Sequence, residues 1–385
     1  MRPMRVVMLL DSLAPGGTEQ SSLVLAPRLR DHGIDVTIVT LKAAAHGLED
    51  VAAAAGVPVV RLQPGSFVSR VRQLRTLLRR ERPALLHTAL FTADQVGRLA
   101  AWGTGVPVLA SFVNTPYDRS RLIDPNVVRW KLRLAQALDA SSGWVMVDHF
   151  HAVSEGTKTA NSRALRVRNR KITVAERGRD VTALGSPGSA RRSAARAALG
   201  IPDRTPIILN IGREEFQKGQ LLLVEAAGRL AVDHPELVVL VAGKEGAASP
   251  AIAEALASND LSAAVVRRLG HRTDIGDLLA AADVMVISSH FEGTAGVALE
   301  AMAMGTPIVS TDLEGLRGVL RHEGNAVLVP HGNAAALARA IARVLDDAVL
   351  AERLATAGRR DFEEKYTLPA AAERLADVYT KVVAG

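Results

Sequence analysis

The sequence of 385 residues contains no cysteine, which excludes disulfides, thiolate metal sites and thiol nucleophiles. That fits a reducing compartment. Aromatic residues make up only 3%, so base-stacking platforms are scarce, and with no recognition motif present nucleic acid is not expected as a partner. No apolar run is long enough to span a bilayer. The first, after Arg2 and Arg5, stops at Asp11 and is too short for a signal peptide. A cytoplasmic location is expected, with any membrane contact peripheral to the inner face. Asp-x-Asp is absent, and no His/Asp/Glu cluster has ligand spacing, so neither a metal nor another cofactor is expected.

What is present is apolar material for two cores, 48% of the residues, in a chain of two-domain length. Short Val/Ile/Leu-rich runs alternate with longer helical stretches, the pattern of parallel sheets wrapped by helices. Strands are expected at 6–10, 36–40, 57–62, 84–87, 106–110, 149–153 and 171–175. A second set is expected at 206–211, 237–242, 265–269, 284–287, 307–309 and 326–329. Between the sets, 182–190 holds Gly185, Ser186, Pro187, Gly188 and Ser189, the composition of a linker. The expected division is a first Rossmann-like domain at 1–181, the linker, a second at 191–368, and a C-terminal helix at 369–385 able to pack back on the first. Ligands of open parallel sheets sit beyond the strands' C-terminal ends, so a reaction cleft is expected between two facing domains.

Charge is divided unevenly. Up to Gly185 there are 26 Lys and Arg against 15 Asp and Glu; after it, 21 against 25. An acidic acceptor and an anionic membrane surface both suit a basic first domain. Its arginines gather in two places. Arg70, Arg72, Arg75, Arg79, Arg80 and Arg82 surround the stripe Val71, Leu74, Leu77 and Leu78 of a helix. Arg119, Arg121, Arg129, Lys131 and Arg133 form the second cluster. A helix of this kind also serves as a solvated face whose stripe packs on the sheet.

The stretch richest in chemistry runs from Ser289 to Asp312. The strand at 284–287 feeds a turn at Glu292 and Gly293, then a helix capped by Thr294 and closed by Gly305. Free amides of Ala295 and Gly296 at that helix start suit a diphosphate. Glu300 lies six residues beyond Thr294, about 9 Å along the helix, and leans back toward its start. That places it for a ribose, with Glu292 facing a sugar from the turn.

Glu292, seven residues and Glu300, set in Glu-Gly-x-x-x-Val-x-x-Glu-Ala-Met-Ala-x-Gly-x-Pro-Ile-Val, resemble the donor-site signature of retaining glycosyltransferases of family four. The resemblance implies the GT-B fold, an α/β architecture of two Rossmann-like parallel-sheet domains facing a cleft. It also implies a nucleoside-diphosphate sugar as co-substrate, with Glu300 on the donor ribose and Glu292, the catalytic-site candidate, against the donor sugar. The segment from Asn210 to Gly219 resembles the family's Gly-Arg…Lys-Gly stretch, assigning Arg213 and Lys218 to the diphosphate. Pro15-Gly-Gly-Thr-Glu19 lacks the Gly-x-Gly-x-x-Gly nicotinamide fingerprint and resembles the loop that aims Gly16 and Gly17 at the diphosphate. The segment around Arg272 resembles the nucleobase cradle; Arg272 either stacks on a base or pairs with Asp274. Phe150-His-Ala-Val-Ser-Glu155 and Glu176-Arg-Gly-Arg-Asp180 resemble the segments that close the first domain.

Two histidines of the pattern are replaced, by Ala89 and Val113. His87, Asn114 and Thr115 remain as acceptor-side candidates, although a histidine at a strand end serves packing as readily as chemistry, and neither Asn nor Thr is a useful base. Three activities remain open. One is sugar transfer to a glycan, lipid-linked or small-molecule hydroxyl. The others are a catalytically weak homologue binding nucleotide sugar or glycan, and a nucleotide-sugar epimerase.

Overall fold

The computed structural model describes residues 3–44, 47–124, 127–293 and 296–385. It divides into two compact units. The first comprises Met1–Leu122, Asn126–Asp180 and Lys365–Gly385; the second is Val181–Glu364 with Ile123–Pro125.

The first unit carries seven parallel strands: β1 Met4–Leu10, β2 Ile34–Thr40, β3 Val59–Arg61, β4 Leu85–Ala89, β5 Val108–Phe112, β6 His149–Ala152 and β7 Ile172–Val174. Their spatial order is β3-β2-β1-β4-β5-β6-β7. Helices cover both faces, so the central strands bury every successive side chain instead of alternating, as Val6 through Leu10 do. The second unit has six: β8 Ile207–Ile211, β9 Val238–Ala242, β10 Val266–Gly270, β11 Val284–Ile287, β12 Ile308–Thr311 and β13 Val327–Val329. Their order is β10-β9-β8-β11-β12-β13. All thirteen expected strands are present. Nine begin one or two residues later than expected, and at four of them one reason is plain: Pro58, Pro107, Pro206 and Pro307 stand immediately before β3, β5, β8 and β12 and cannot donate to a ladder.

In each unit the strand order reverses at one place, between β1 and β4 in the first and between β8 and β11 in the second. Loops leaving the C-terminal ends of those strands diverge and leave a crevice. Gly16 and Gly17 follow β1, and Arg213 and Lys218 follow β8. Glu292 follows β11.

The last helix, Leu368–Ala384, belongs to the first unit and packs on the helix Gly17–Leu29. Leu368, Ala371, Ala372, Leu375, Ala376 and Tyr379 recur at helical spacing and enter the first core with Leu23 and Leu25. The return is anchored by the Arg179 amide donating to the Tyr366 carbonyl at 2.9 Å and by Arg374 Nε at 3.2 Å from Glu176 Oε2. The segment 182–190 lies wholly in the second unit. Leu184 is buried, Arg191 donates to its carbonyl, and a Cβ on Gly276 would come within 2.2 Å of the same oxygen. A close backbone contact, not composition, therefore decides how this Gly/Ser/Pro stretch is held.

Candidate active site

The crevice of the second sheet is built from two loops tied to each other. Gly219 adopts φ +60° and lies so near β11's end that a Cβ there would meet the Ser288 carbonyl at 2.1 Å. Only glycine satisfies both demands. Ser288 Oγ donates to the Lys218 carbonyl at 3.0 Å, and the His290 amide to the Gln217 carbonyl at 2.8 Å. On the far side a Cβ on Gly315 would meet the Glu292 carbonyl at 1.8 Å, so a third loop presses on the same turn.

This stitching brings Lys218 to Glu292. The ammonium lies 2.6 Å from Oε1, which also accepts Ser289 Oγ at 2.8 Å. Gln217 Nε2 donates to the Phe291 carbonyl at 3.1 Å. Glu292 is 6% exposed and Glu300, on the helix Gly296–Met304, 7%. Two carboxylates so deeply withdrawn from water need strong compensation, which Lys218 gives to the first.

Arg213 is exposed, and no ion pair to it is recorded among the described residues. The neighbouring acid that would neutralise it is engaged elsewhere. Glu214 is buried and accepts Arg268 Nε at 2.8 Å and Nη2 at 2.5 Å, from β10. Burial pushes Glu214 up, but the Arg268 bonds override it and hold the carboxyl below the ordinary value. Arg272 makes the ion pair with Asp274, Nε to Oδ1 at 2.7 Å. Thr294 and Ala295 lie outside the described residues; Gly296 opens its helix.

In the first unit, Gly16 caps the helix that Gly17 begins. Arg177 lies against this turn, donating to the Gly17 carbonyl and to Thr18 Oγ1, both at 3.3 Å. Burial pushes its guanidinium down to about 10. Nothing local in the sequence singles out Arg177, because a cation 160 residues from the Gly-Gly turn carries no signal of where it points.

His87 is buried, with both ring nitrogens bonded within the unit, and lines a small cavity with Ser111, His151 and Arg177. The chain has one direction. The Ala175 carbonyl can only accept, so His151 donates from Nε2 at 2.9 Å and accepts Ser111 Oγ at Nδ1, 2.7 Å away. Ser111 then accepts from His87 Nε2 at 2.5 Å, and His87 Nδ1 accepts the Tyr379 hydroxyl at 2.6 Å. Burial pushes His87 down to about 3 and His151 to about 4, consistent with two neutral rings.

Asn114 is exposed and Thr115 buried, both just beyond β5. Asn114, Tyr117, Asp94, Asp139 and Asn161 line a cavity of about 310 Å³. Behind that lining Asp139 pairs with the buried Arg98, whose Nη1 lies 2.6 Å from Oδ1; Tyr117 donates to Asp139 Oδ2 at 2.9 Å. Burial pushes Asp94 up to about 7. Leu90, between β4 and this cavity, holds φ +79°, a strained backbone for a side chain with a Cβ. Among the described residues, no three His, Asp or Glu side chains converge on a metal position.

Two parallel-sheet α/β units, each with its crevice at a strand-order reversal, have the architecture of the GT-B fold. Comparison with known proteins agrees. Residues 16–178 match the glycosyl transferase 4-like domain, and residues 191–361 match glycosyl transferases group 1. A D-inositol 3-phosphate glycosyltransferase of Thermobispora bispora is 29% identical over 96% of this chain and 90% of its own. An alpha-D-kanosaminyltransferase of Streptomyces kanamyceticus is 27% identical over 72% of this chain and 71% of its own. Among solved structures, HepE of Anabaena in complex with UDP superposes with a TM-score of 0.83 at 20% identity, covering 98% of this chain and all of that one. The chain belongs to the family-four type of glycosyltransferase.

Proposed function

We propose that the protein transfers a sugar, with retention at the anomeric carbon, from a nucleoside-diphosphate sugar to a hydroxyl of a glycan, lipid-linked or small-molecule acceptor. The observation that carries this reading is the Lys218–Glu292 pair, with the exposed Arg213 on the same loop as Lys218, at the strand-order reversal of the second sheet. In the reaction the bond from the anomeric carbon to the β-phosphate oxygen breaks. The acceptor oxygen bonds to the same face of that carbon, and its proton passes to the departing diphosphate. Arg213 and Lys218 neutralise the diphosphate, with the helix start at Gly296 offering backbone. Glu300 binds the ribose, and Glu292, held by Lys218, faces the donor sugar. Arg272 lies on the nucleobase side. Asn114, on the lining of the first unit's cavity, and Thr115 next to it in sequence serve the acceptor. No metal or other cofactor takes part, because fixed cations do that work.

UDP is the nucleotide in the Anabaena structure, and the Thermobispora relative is named for a phosphate-bearing acceptor. Both suit this reading, the second because a basic first unit attracts an anionic acceptor. The same charge favours peripheral contact with the inner face of an anionic membrane, and no helix among the described residues is long and apolar enough to cross one.

Incubating the full chain with a panel of nucleotide sugars tests the reading. Release of nucleoside diphosphate, slow without an acceptor, is expected for one donor. Binding without turnover would favour a nucleotide-sugar-binding homologue, and an isomerised donor an epimerase.

A further inference from the structure

The helix Arg129–Met146 is built inside out. Trp130, Leu134, Leu138, Trp144 and Val145 fall on one side of it at helical spacing, and each is between 49% and 64% exposed. The opposite side, against the first unit, carries Leu132 and Met146 but is otherwise polar or small. Asp139 is buried on Arg98 and Tyr117, Gln136 Nε2 donates to the Ala164 carbonyl at 2.8 Å, and Gly143 is buried with Phe150 so near that a Cβ would meet it at 3.2 Å. These bonds fix the helix's rotation, so the apolar stripe cannot turn inward. A solvent-facing stripe with two tryptophans marks an interaction surface.

Charge identifies the partner. On a helical wheel, Lys131 lies at one edge of the stripe and Arg133 with Arg129 at the other, and 125–138 contains no acidic residue. Trp130 is accompanied by the Lys131 ammonium, 5.7 Å from its ring centroid, and Trp144 is tethered through Nε1 to the Leu165 carbonyl at 2.7 Å. An apolar stripe with tryptophan, bordered by cations, is the composition of a helix lying in a membrane interface. A two-fold contact with a second copy would set the same cations around the same stripe against each other, which like charge opposes. The other basic helix, Phe67–Glu81, is different: Leu74 and Leu78 are buried, and Arg75 is spent on the Leu99 and Ala100 carbonyls.

We infer that the helix Arg129–Met146 is the element by which the first unit docks on an anionic lipid surface, Trp130 and Leu134 entering the interface and Arg129, Lys131 and Arg133 meeting the headgroups. This rests on the proposed peripheral contact but not on the transfer reaction.

Flotation of the full chain with vesicles of phosphatidylcholine alone, or with three-tenths phosphatidylglycerol, tests it. Wild type should float with the anionic vesicles, its tryptophan emission shifting to the blue. Trp130→Ser with Leu134→Ser, both exposed and so without cost to folding, should weaken binding about tenfold or more. Lys131→Glu with Arg133→Glu should abolish the preference for phosphatidylglycerol. Arg72→Gln with Arg79→Gln should retain binding within about threefold. Donor turnover without vesicles should be unchanged in all three, which separates failure here from failure of the transferase reading. Loss of flotation only in the Arg72/Arg79 variant would move the contact to the other helix and overturn this inference. So would flotation of no protein, or a wild-type dimer that Trp130→Ser with Leu134→Ser converts to a monomer.

Discussion

Removing the Lys218 ammonium should reveal what the Glu292 carboxylate requires. Glu292's side chain is 7% exposed and Lys218's 24%, with 2.6 Å between charged atoms. Loss of one partner from a fully buried pair costs about 3–5 kcal/mol, because the remaining charge is stranded. Water reaches Lys218 and screens part of this, so a coupling of about 2 kcal/mol is expected, within the range for a charge-assisted bond. Lys218→Ala should therefore destabilise the second unit by about 2 kcal/mol, a fall of about 4–8 °C in its melting transition. In a Glu292→Gln background no charge is stranded, and the same change should cost about 0.5 kcal/mol or less. Differential scanning calorimetry of the four proteins closes the cycle. The nucleoside diphosphate should also bind Lys218→Ala about 10- to 100-fold more weakly, since the ammonium faces the donor as well. If the two substitutions add with no coupling, the pair contributes nothing to the site and the geometry argued from it is wrong.

Arg213→Ala should weaken nucleoside diphosphate binding by about 1.5–3 kcal/mol in a titration, yet leave the melting temperature unchanged, because no ion pair to it is recorded among the described residues. Turnover should survive EDTA; complete loss, restored by magnesium or manganese, would contradict a site neutralised by Arg213 and Lys218. The buried histidines should make the first unit acid-sensitive. With His87 near 3 and His151 near 4, below the ordinary 6.5, the folded unit binds fewer protons than the unfolded chain. The stability they contribute is therefore complete above about pH 7 and declines below it, by about 2 kcal/mol per ring at pH 5. Asp94, pushed up, opposes this by holding a proton in the folded state as pH falls through 7. Asp94→Asn should thus show a steeper loss of urea midpoint from pH 7.5 to 5.0 than wild type.

The strands were legible because parallel sheets buried on both faces leave continuous Val/Ile/Leu runs, and four of their late starts are explained by prolines. The loop holding Glu292 was legible from its string of residues. Its pairing with Lys218 was not: 74 residues separate them, and they meet through the contact of Gly219 with Ser288 and the hydrogen bonds that tie the two loops. The partners of His87 are equally hidden in the sequence, since Ser111 and Tyr379 lie 24 and 292 residues away. Arg75 reads as one of six surface cations until the helix beside it is seen to offer two carbonyls. For the helix Arg129–Met146, periodicity reveals a stripe but not which side faces the core. Asp139 decides that, through an arginine 41 residues earlier.

The central claim is that the second unit holds a nucleoside diphosphate through Arg213, Lys218 and Glu300. Calorimetric titration of the full chain with nucleoside diphosphates and with inorganic pyrophosphate, for wild type and Glu300→Ala, tests it most directly. The account predicts one nucleotide site, weakened markedly by Glu300→Ala, whereas pyrophosphate, which has no ribose, binds both proteins alike. Equal nucleotide affinity in wild type and variant, or no nucleotide binding at all, would contradict it.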